Sequence, residues 1–580
     1  MFWSELEQQQ QGLPSLQKIV EDENVQLDEV LHHEHCFQDV RVGASYVVDY
    51  FAQHDILQEL LNRCIYAPPD PSINYIDQYK QSPRAMAIFA MSNEHINTTL
   101  LNDEVLLDGL INYLAPRDEP YVDDVKAGYY KRIILALLST SEATDGTFME
   151  TLKESKFLDY CFQAMDYGAI AELLIRIPQC VQETMQKKIF QWYADADVAK
   201  RLSSLFKEDA LLDVLENTSF IWAEFDEMQL QRVDLAESFK NALYSTDTLK
   251  VLLDAAFPES GGGVPRVINY VCPILTNYIE VNRSVNEPAY RVFPELYTRE
   301  IFDELCDPEF SLQFAILTRA EQIVKLAIEY GNAPESENLG ISAAMCLKVI
   351  RGLLNTNHKP TQEKLGEILS APDTSIIKLL EITEKNPLFA IFNNHVHAII
   401  AYSLFSNSDD KFPLIDALFK VKPNVVSRII ANGKNFVAQN DETKFETDAR
   451  ANFFLKLGDL INSSRNEASA RASYINNLLE SEDCIQSWQE MTDSTLHDFS
   501  ESNRSYTVNT NTSHRTMEES LGDIDELATI AERENGDTNK PIYVIEPLET
   551  KLPSKITIET IEQEQPTTSA QKPDDEESSS

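Results

Sequence analysis

Four residues near the N-terminus, His32, His33, His35 and Cys36, are of types that bind metal. On a helix His32 and Cys36 would share a face, with His35 close by. Zinc requires a closed tetrahedral set, and no second ligand group of matching spacing occurs, so no metal is expected. A solvated helix end accounts for the same histidines. His395 and His397 would point to different sides of a helix and make a poor chelate. Asn432-Gly433-Lys434-Asn435 lacks the spacing of a phosphate-binding loop. There is no Gly-x-Ser-x-Gly elbow and no kinase signature. Carboxylates are so numerous that no pair singles itself out. The expectation is a chain with no catalytic residue and no cofactor, that is, not an enzyme.

Composition narrows the alternatives. The chain has 580 residues, 43% of them hydrophobic, which is ample for burial. Its 17 glycines are few for an α/β enzyme with many tight phosphate or hairpin turns. Formal net charge is -45, and residues 501–580 carry 18 acidic and 7 basic residues, so most of the acidity lies before them. Such a body repels phosphate backbones and anionic lipid, which speaks against nucleic-acid binding and leaves protein partners. No apolar run is long enough to insert in a membrane. The eight cysteines, among them Cys161 and Cys306, are scattered singly without a Cys-x-x-Cys pair. Together with the lack of a signal-peptide pattern, this places the chain in the cytoplasm, with the nucleus as a second compartment. The sequon Asn97-Thr98-Thr99 is then a chance match.

The elements that would position any site are helices. The clearest stretch is Asp166 to Pro178, where Ile170, Leu173, Leu174 and Ile177 recur at the spacing of one helix face and Ile175 adds a second greasy side. Such a helix must be sandwiched between neighbours, and Pro178 is expected to stop it. Arg176 within that run must snorkel outward or hold a fixed contact with a partner. Similar patterns recur from Leu16 to Trp488. Examples are two short helices over 37–61 with Asp55 capping the second, single helices over 84–92, 104–114, 148–163, 297–305 and 310–330, and a helix over 267–278 with Pro273 inside it. No run of alternating strands appears. The reading is all-α: an irregular armadillo/HEAT-like helical-repeat solenoid over residues 1–505, with a disordered acidic tail rich in Ser, Thr and Glu over 506–580.

Several motifs then carry a resemblance. Phe2-Trp3 opens the chain; Leu31-His32-His33-Glu34-His35-Cys36-Phe37-Gln38-Asp39-Val40-Arg41 leads to Val47-Val48-Asp49-Tyr50-Phe51. Further on come Ala127-Gly128-Tyr129-Tyr130, Leu174-Ile175-Arg176-Ile177, Asn393-Asn394-His395-Val396-His397-Ala398, and Trp488 with Leu496 and Asn503. In this order they resemble the SAPS-domain proteins, regulatory subunits of protein phosphatase 6 and of its yeast counterpart. Histidines 32, 33 and 35 replace an acidic run of that family, and Ala44 stands where it usually has asparagine. The resemblance implies a non-catalytic scaffold that holds a type 6 phosphatase catalytic subunit, directs it to substrates, and leaves room for an ankyrin-repeat third subunit. By the same resemblance and their polar character, Gln38, Arg41, Arg176, Asn394 and His397 are the candidate partner contacts. For Asn394 and His397 an internal hydrogen bond competes with that role. The alternative function is a helical-repeat adaptor in vesicle trafficking or nuclear transport.

Overall fold

The computed structural model describes residues 15–22, 24–67, 82–116, 122–144, 146–231, 237–286, 312–334, 339–356, 359–405, 412–433, 444–465, 469–497 and 499. The chain divides into two units, Met1–Asp525 and Glu526–Ser580, and every described residue belongs to the first. Phe2, Trp3, the expected helix at 297–305, Asn503 and the expected tail lie outside the described residues.

Among the described residues every regular element is a helix. Seven of them form a spine in which each packs against the next: Asp124–Thr144, Gly168–Gln179, Leu212–Gln231, Pro265–Asn286, Leu339–Asn355, Ala390–Leu404 and Lys444–Arg465. The first three begin at Asp124, Gly168 and Leu212, a constant step of 44 residues. Between spine helices, shorter ones form the flanking layers. Val198–Ser203 packs on Thr246–Ala256, which packs on Leu312–Leu317; Lys359–Ser370 packs on Pro413–Phe419. This is an irregular armadillo/HEAT-like helical repeat. Each repeat closes its oily sides against its neighbours in the stack, so the core runs from Leu16 to Phe499 among the described residues.

The Gly168–Gln179 helix shows why the pattern dictates the stack. Ile170, Leu173, Leu174 and Ile177 have no exposed surface, and Ile175 keeps only 2%. One side meets Asp124–Thr144 and the other meets Leu212–Gln231. Burial of such side chains contributes about 2 kcal/mol each. The helix runs one residue past Pro178 instead of stopping before it. Proline obstructs the turn preceding it, but here that turn is already the last one, and the helix ends at Cys180. Pro273 likewise sits inside Pro265–Asn286 without ending it.

Other boundaries differ from expectation for local reasons. The 37–61 stretch holds three helices, Cys36–Val42, Ser45–Phe51 and His54–Leu61. Gly43 breaks the first from the second by taking φ 74°, a left-handed conformation that suits glycine. Gln53, not Asp55, occupies the N-cap of the third, and Asp55 sits in its first turn. The 148–163 stretch is split by extended Ser155, whose hydroxyl accepts from the Phe157 N–H at 3.1 Å. The 310–330 stretch is split at Arg319, whose guanidinium donates to Asp254 (2.9 Å) and Glu259 (3.0 Å). A helix absent from the sequence reading, Glu94–Asn102, is capped by Asn93, which accepts from the N–H groups of His95 and Ile96. Its Asn97 is fully buried and donates to Thr140 Oγ1 at 2.9 Å, so this sequon is a packing residue.

Close approach between layers uses glycine once with particular clarity. A Cβ on Gly366 would stand 2.7 Å from Pro413 Cβ, so only glycine lets Lys359–Ser370 lie this near to Pro413–Phe419.

Candidate partner-binding surface

The histidines that open the chemical reading are not brought together as ligands. His32 ends the Leu27–His32 helix and its Nδ1 lies 2.8 Å from the Asp28 carbonyl, whereas Cys36 begins a new helix and is fully buried. The expected shared face is therefore lost to the break at His33. No cluster of three metal-binding side chains occurs among the described residues. Burial pushes the Cys36 thiol up to about 12, and burial also raises the Cys64 and Cys161 thiols, so these are poor nucleophiles.

The five candidate contacts fall at three separate places. Gln38 and Arg41 are exposed on Cys36–Val42. Asp39 between them accepts a hydrogen bond from Tyr46, which ties this helix to Ser45–Phe51. Arg176 points outward from the spine, its NH1 donating to Gln179 at 3.0 Å and its Nε 3.6 Å from Glu172. Glu172 is also paired with Lys131 of the preceding spine helix, and the lysine first and Arg176 second hold its carboxyl below the usual range. Arg176 therefore lies in a short polar relay across two spine helices, its aliphatic neighbours facing inward. Asn394 and His397 lie on Ala390–Leu404, separated from the Arg176 helix by three spine helices. The structure does not join the five into one site.

Further polar links tie successive spine helices. Asn217 of Leu212–Gln231 donates to the Met165 carbonyl in the turn that leads into Gly168–Gln179, at 2.9 Å. Asn277 donates to Asp226 at 2.9 Å, and Ser342 to Asn269 Oδ1 at 2.9 Å. Ala390–Leu404 differs. His395 and His397 flank it on opposite sides, as their spacing requires, and the Nδ1 of each is buried without a partner. His395 faces Lys348 and Arg351 of Leu339–Asn355; burial first, then Arg351 and Lys348, push its pKa down to about 3. His397 faces Lys456 and packs edge-on to Phe453 of Lys444–Arg465; burial first, then Lys456, push it down to about 4. Both rings are neutral at pH 7. For His397 the expected internal hydrogen bond through Nδ1 is not made.

Sequence reasoning read His395 and His397 as a poor chelate and His397 also as a candidate partner contact, and it passed over Lys348, Arg351 and Lys456. The usable signal was the i, i+3 pair Lys348 and Arg351 on a helix of a strongly acidic chain. Arg428 was also missed. It is 7% exposed and donates to Glu384 (2.7 Å), Glu381 (2.8 Å) and the Pro423 carbonyl (3.1 Å).

Comparison with known proteins converges on one description. Residues 134–400, a little under half of the chain, match the family model "SAPS: SIT4 phosphatase-associated protein". That segment runs from the first spine helix to the sixth and includes Arg176, Asn394 and His397. Among curated proteins, the mouse "Serine/threonine-protein phosphatase 6 regulatory subunit 2" is 22% identical over 189 residues, 32% of this chain and 20% of the relative. The mouse "Serine/threonine-protein phosphatase 6 regulatory subunit 1" is 25% identical over 188 residues, 32% of this chain and 21% of the relative. The human regulatory subunit 2 is 22% identical over 247 residues, 41% of this chain and 25% of the relative. The chain thus spans a fifth to a quarter of the length of the curated relatives it matches.

Proposed function

We propose, from the premise that this chain belongs to the SAPS family through residues 134–400, that it is a non-catalytic regulatory subunit of a type 6 serine/threonine phosphatase. In this reading the spine is a surface that holds the catalytic subunit and directs it to substrates. The observation that carries it is the position of the family segment, which coincides with six consecutive spine helices. The relatives' names supply the partner: both are regulatory subunits of phosphatase 6. Gln38, Arg41 and Arg176, being exposed cation or amide groups, are the contacts we assign first. An ankyrin-repeat third subunit belongs to the same proposal as a further occupant of the assembly. The seven described cysteines are free thiols, five of them buried, which supports a cytoplasmic or nuclear location.

The test is purification of the tagged full chain from its own cells, followed by mass spectrometry. A type 6 phosphatase catalytic subunit is expected in stoichiometric amount, with phosphate-ester hydrolysis only in fractions that contain it. Recovery of coat or transport proteins without a phosphatase would favour the adaptor alternative. Hydrolysis by the chain alone would contradict the scaffold role.

A further inference from the structure

The fourth and fifth spine helices, Pro265–Asn286 and Leu339–Asn355, pack along one seam. At their starting ends Ser342 donates to the Pro265 carbonyl at 3.1 Å and to Asn269 Oδ1 at 2.9 Å. Further along, a Cβ on Gly352 would stand 3.4 Å from Ile279 and 3.8 Å from Thr276. The two helices therefore advance in the same direction and in step. Their backbones lie close, since a serine hydroxyl spans the gap to a main-chain carbonyl. Cys346 is one turn beyond Ser342 and Cys272 is one turn beyond Asn269, so this register sets the two sulfurs opposite each other. The thiols are within hydrogen-bond reach, and neither residue has exposed surface.

Cys272 sits at a weak turn of its helix. Pro273 follows it inside the helix. Proline has no N–H to give the Asn269 carbonyl, so this turn lacks one backbone bond. The Thr276 hydroxyl also donates to the Cys272 carbonyl, at 3.0 Å, a contact of the kind that bends helices. Local parting of the helices costs less at such a turn. With the seam closed the pair is protected: burial first, then Cys346, keeps the Cys272 thiol protonated, and Lys348 acts in the opposite sense. Once either thiol loses its proton, the other S–H can donate to the thiolate, which is the reactive form.

We propose that Cys272 and Cys346 are an oxidation site, at which hydrogen peroxide converts the two facing thiols into a disulfide that locks the fourth spine helix to the fifth. One sulfur attacks a peroxide oxygen and the O–O bond breaks. The departing hydroxide leaves as water with the proton of that thiol, and a sulfenic acid remains. The second sulfur attacks the sulfenic sulfur and forms the S–S bond. The hydroxyl leaves with the second thiol proton as another water. Each sulfur gives up one electron, and one peroxide is reduced to two waters. A dithiol reductant reverses the cross-link by exchange. Both cysteines lie within residues 134–400, so the bond fixes the join between two repeats of the family segment. This chemistry is independent of the phosphatase reading, and either can fail without the other.

The test is treatment of the full chain with hydrogen peroxide, then alkylation of the remaining thiols under denaturing conditions and non-reducing peptide mapping. The expected product is a cross-linked peptide pair holding Cys272 and Cys346, lost on reduction with dithiothreitol. Half-buried Cys180 and Cys484 show in the same map how far the more accessible thiols have reacted. Amide hydrogen exchange on Pro265–Asn286 and Leu339–Asn355 should slow about tenfold or more in the cross-linked form. Cys346→Ala should abolish both the cross-link and the slowing. Circular dichroism checks that it folds, and Cys272→Ser takes its place if it does not. Oxidation of Cys180 and Cys484 while Cys272 and Cys346 are still alkylated overturns the proposal. So does pairing of either residue with a different cysteine, or a cross-link that leaves exchange on both helices unchanged.

Discussion

Acidification from pH 7 to pH 5 should destabilise the folded repeats by about 4 kcal/mol through His395 and His397 alone. Both rings are held neutral in the fold, at about 3 and about 4, by burial first and then by Arg351 with Lys348, and by Lys456. In the unfolded chain each titrates near 6.5. Below that pH the unfolded state takes up protons that the folded state refuses. The stability contribution is therefore fully present above about 6.5 and is lost as pH falls toward the folded values. A drop of one and a half pH units below 6.5 costs about 2 kcal/mol for each ring. Denaturant unfolding at both pH values should show it. The double variant His395→Asn, His397→Gln should lose less stability over the same interval, by about that amount. Equal pH dependence in the two proteins would mean that the rings reach a partner or solvent on protonation.

The second large effect concerns Arg428. Its guanidinium joins Val425–Gly433 to Ile376–Lys385 through Glu384 and Glu381, and it also braces the Pro423 carbonyl. Arg428→Ala should cost about 3 kcal/mol, because two carboxylates then face each other without a cation. The figure sits at the low end for a broken buried pair because Glu381 and Glu384 keep 45% and 25% of their side-chain surface exposed. Arg428→Lys should recover less than half of the loss, since an ammonium cannot fork to two carboxylates and a carbonyl at once. The urea midpoint is the readout. A change in Arg428→Ala below about 0.5 kcal/mol would show that the network contributes no more than an exposed pair.

What was legible in the sequence was what periodicity records. Ile170, Leu173, Leu174 and Ile177 announced a sandwiched helix, and the fold buries all four between two spine neighbours. The expected helices over 84–92 and 104–114 form as Ser82–Ala90 and Glu104–Ile111. Capping chemistry was less legible, because the choice between Gln53 and Asp55 depends on backbone angles that composition does not set. Glu94–Asn102 escaped because its inward face includes Asn97, whose side-chain N–H donates to Thr140, a residue 43 positions away. Arg428 and the His395–Lys348–Arg351 cluster were hidden for the same reason. Their meaning lies in contacts between helices of different repeats, and a helix read by itself shows only a charged position on its surface. The resemblance supplied further ordering, since the motifs at Ala127, Leu174 and Asn393, weak one by one, fall on the first, second and sixth spine helices.

The most direct test of the scaffold account is hydrogen–deuterium exchange of the full chain, alone and saturated with a type 6 phosphatase catalytic subunit after co-elution in a one-to-one complex. The account predicts slowed exchange on spine helices within residues 134–400, with the peptide containing Arg176 among those protected. Failure to form the complex, or protection confined to residues after Phe499, would contradict it.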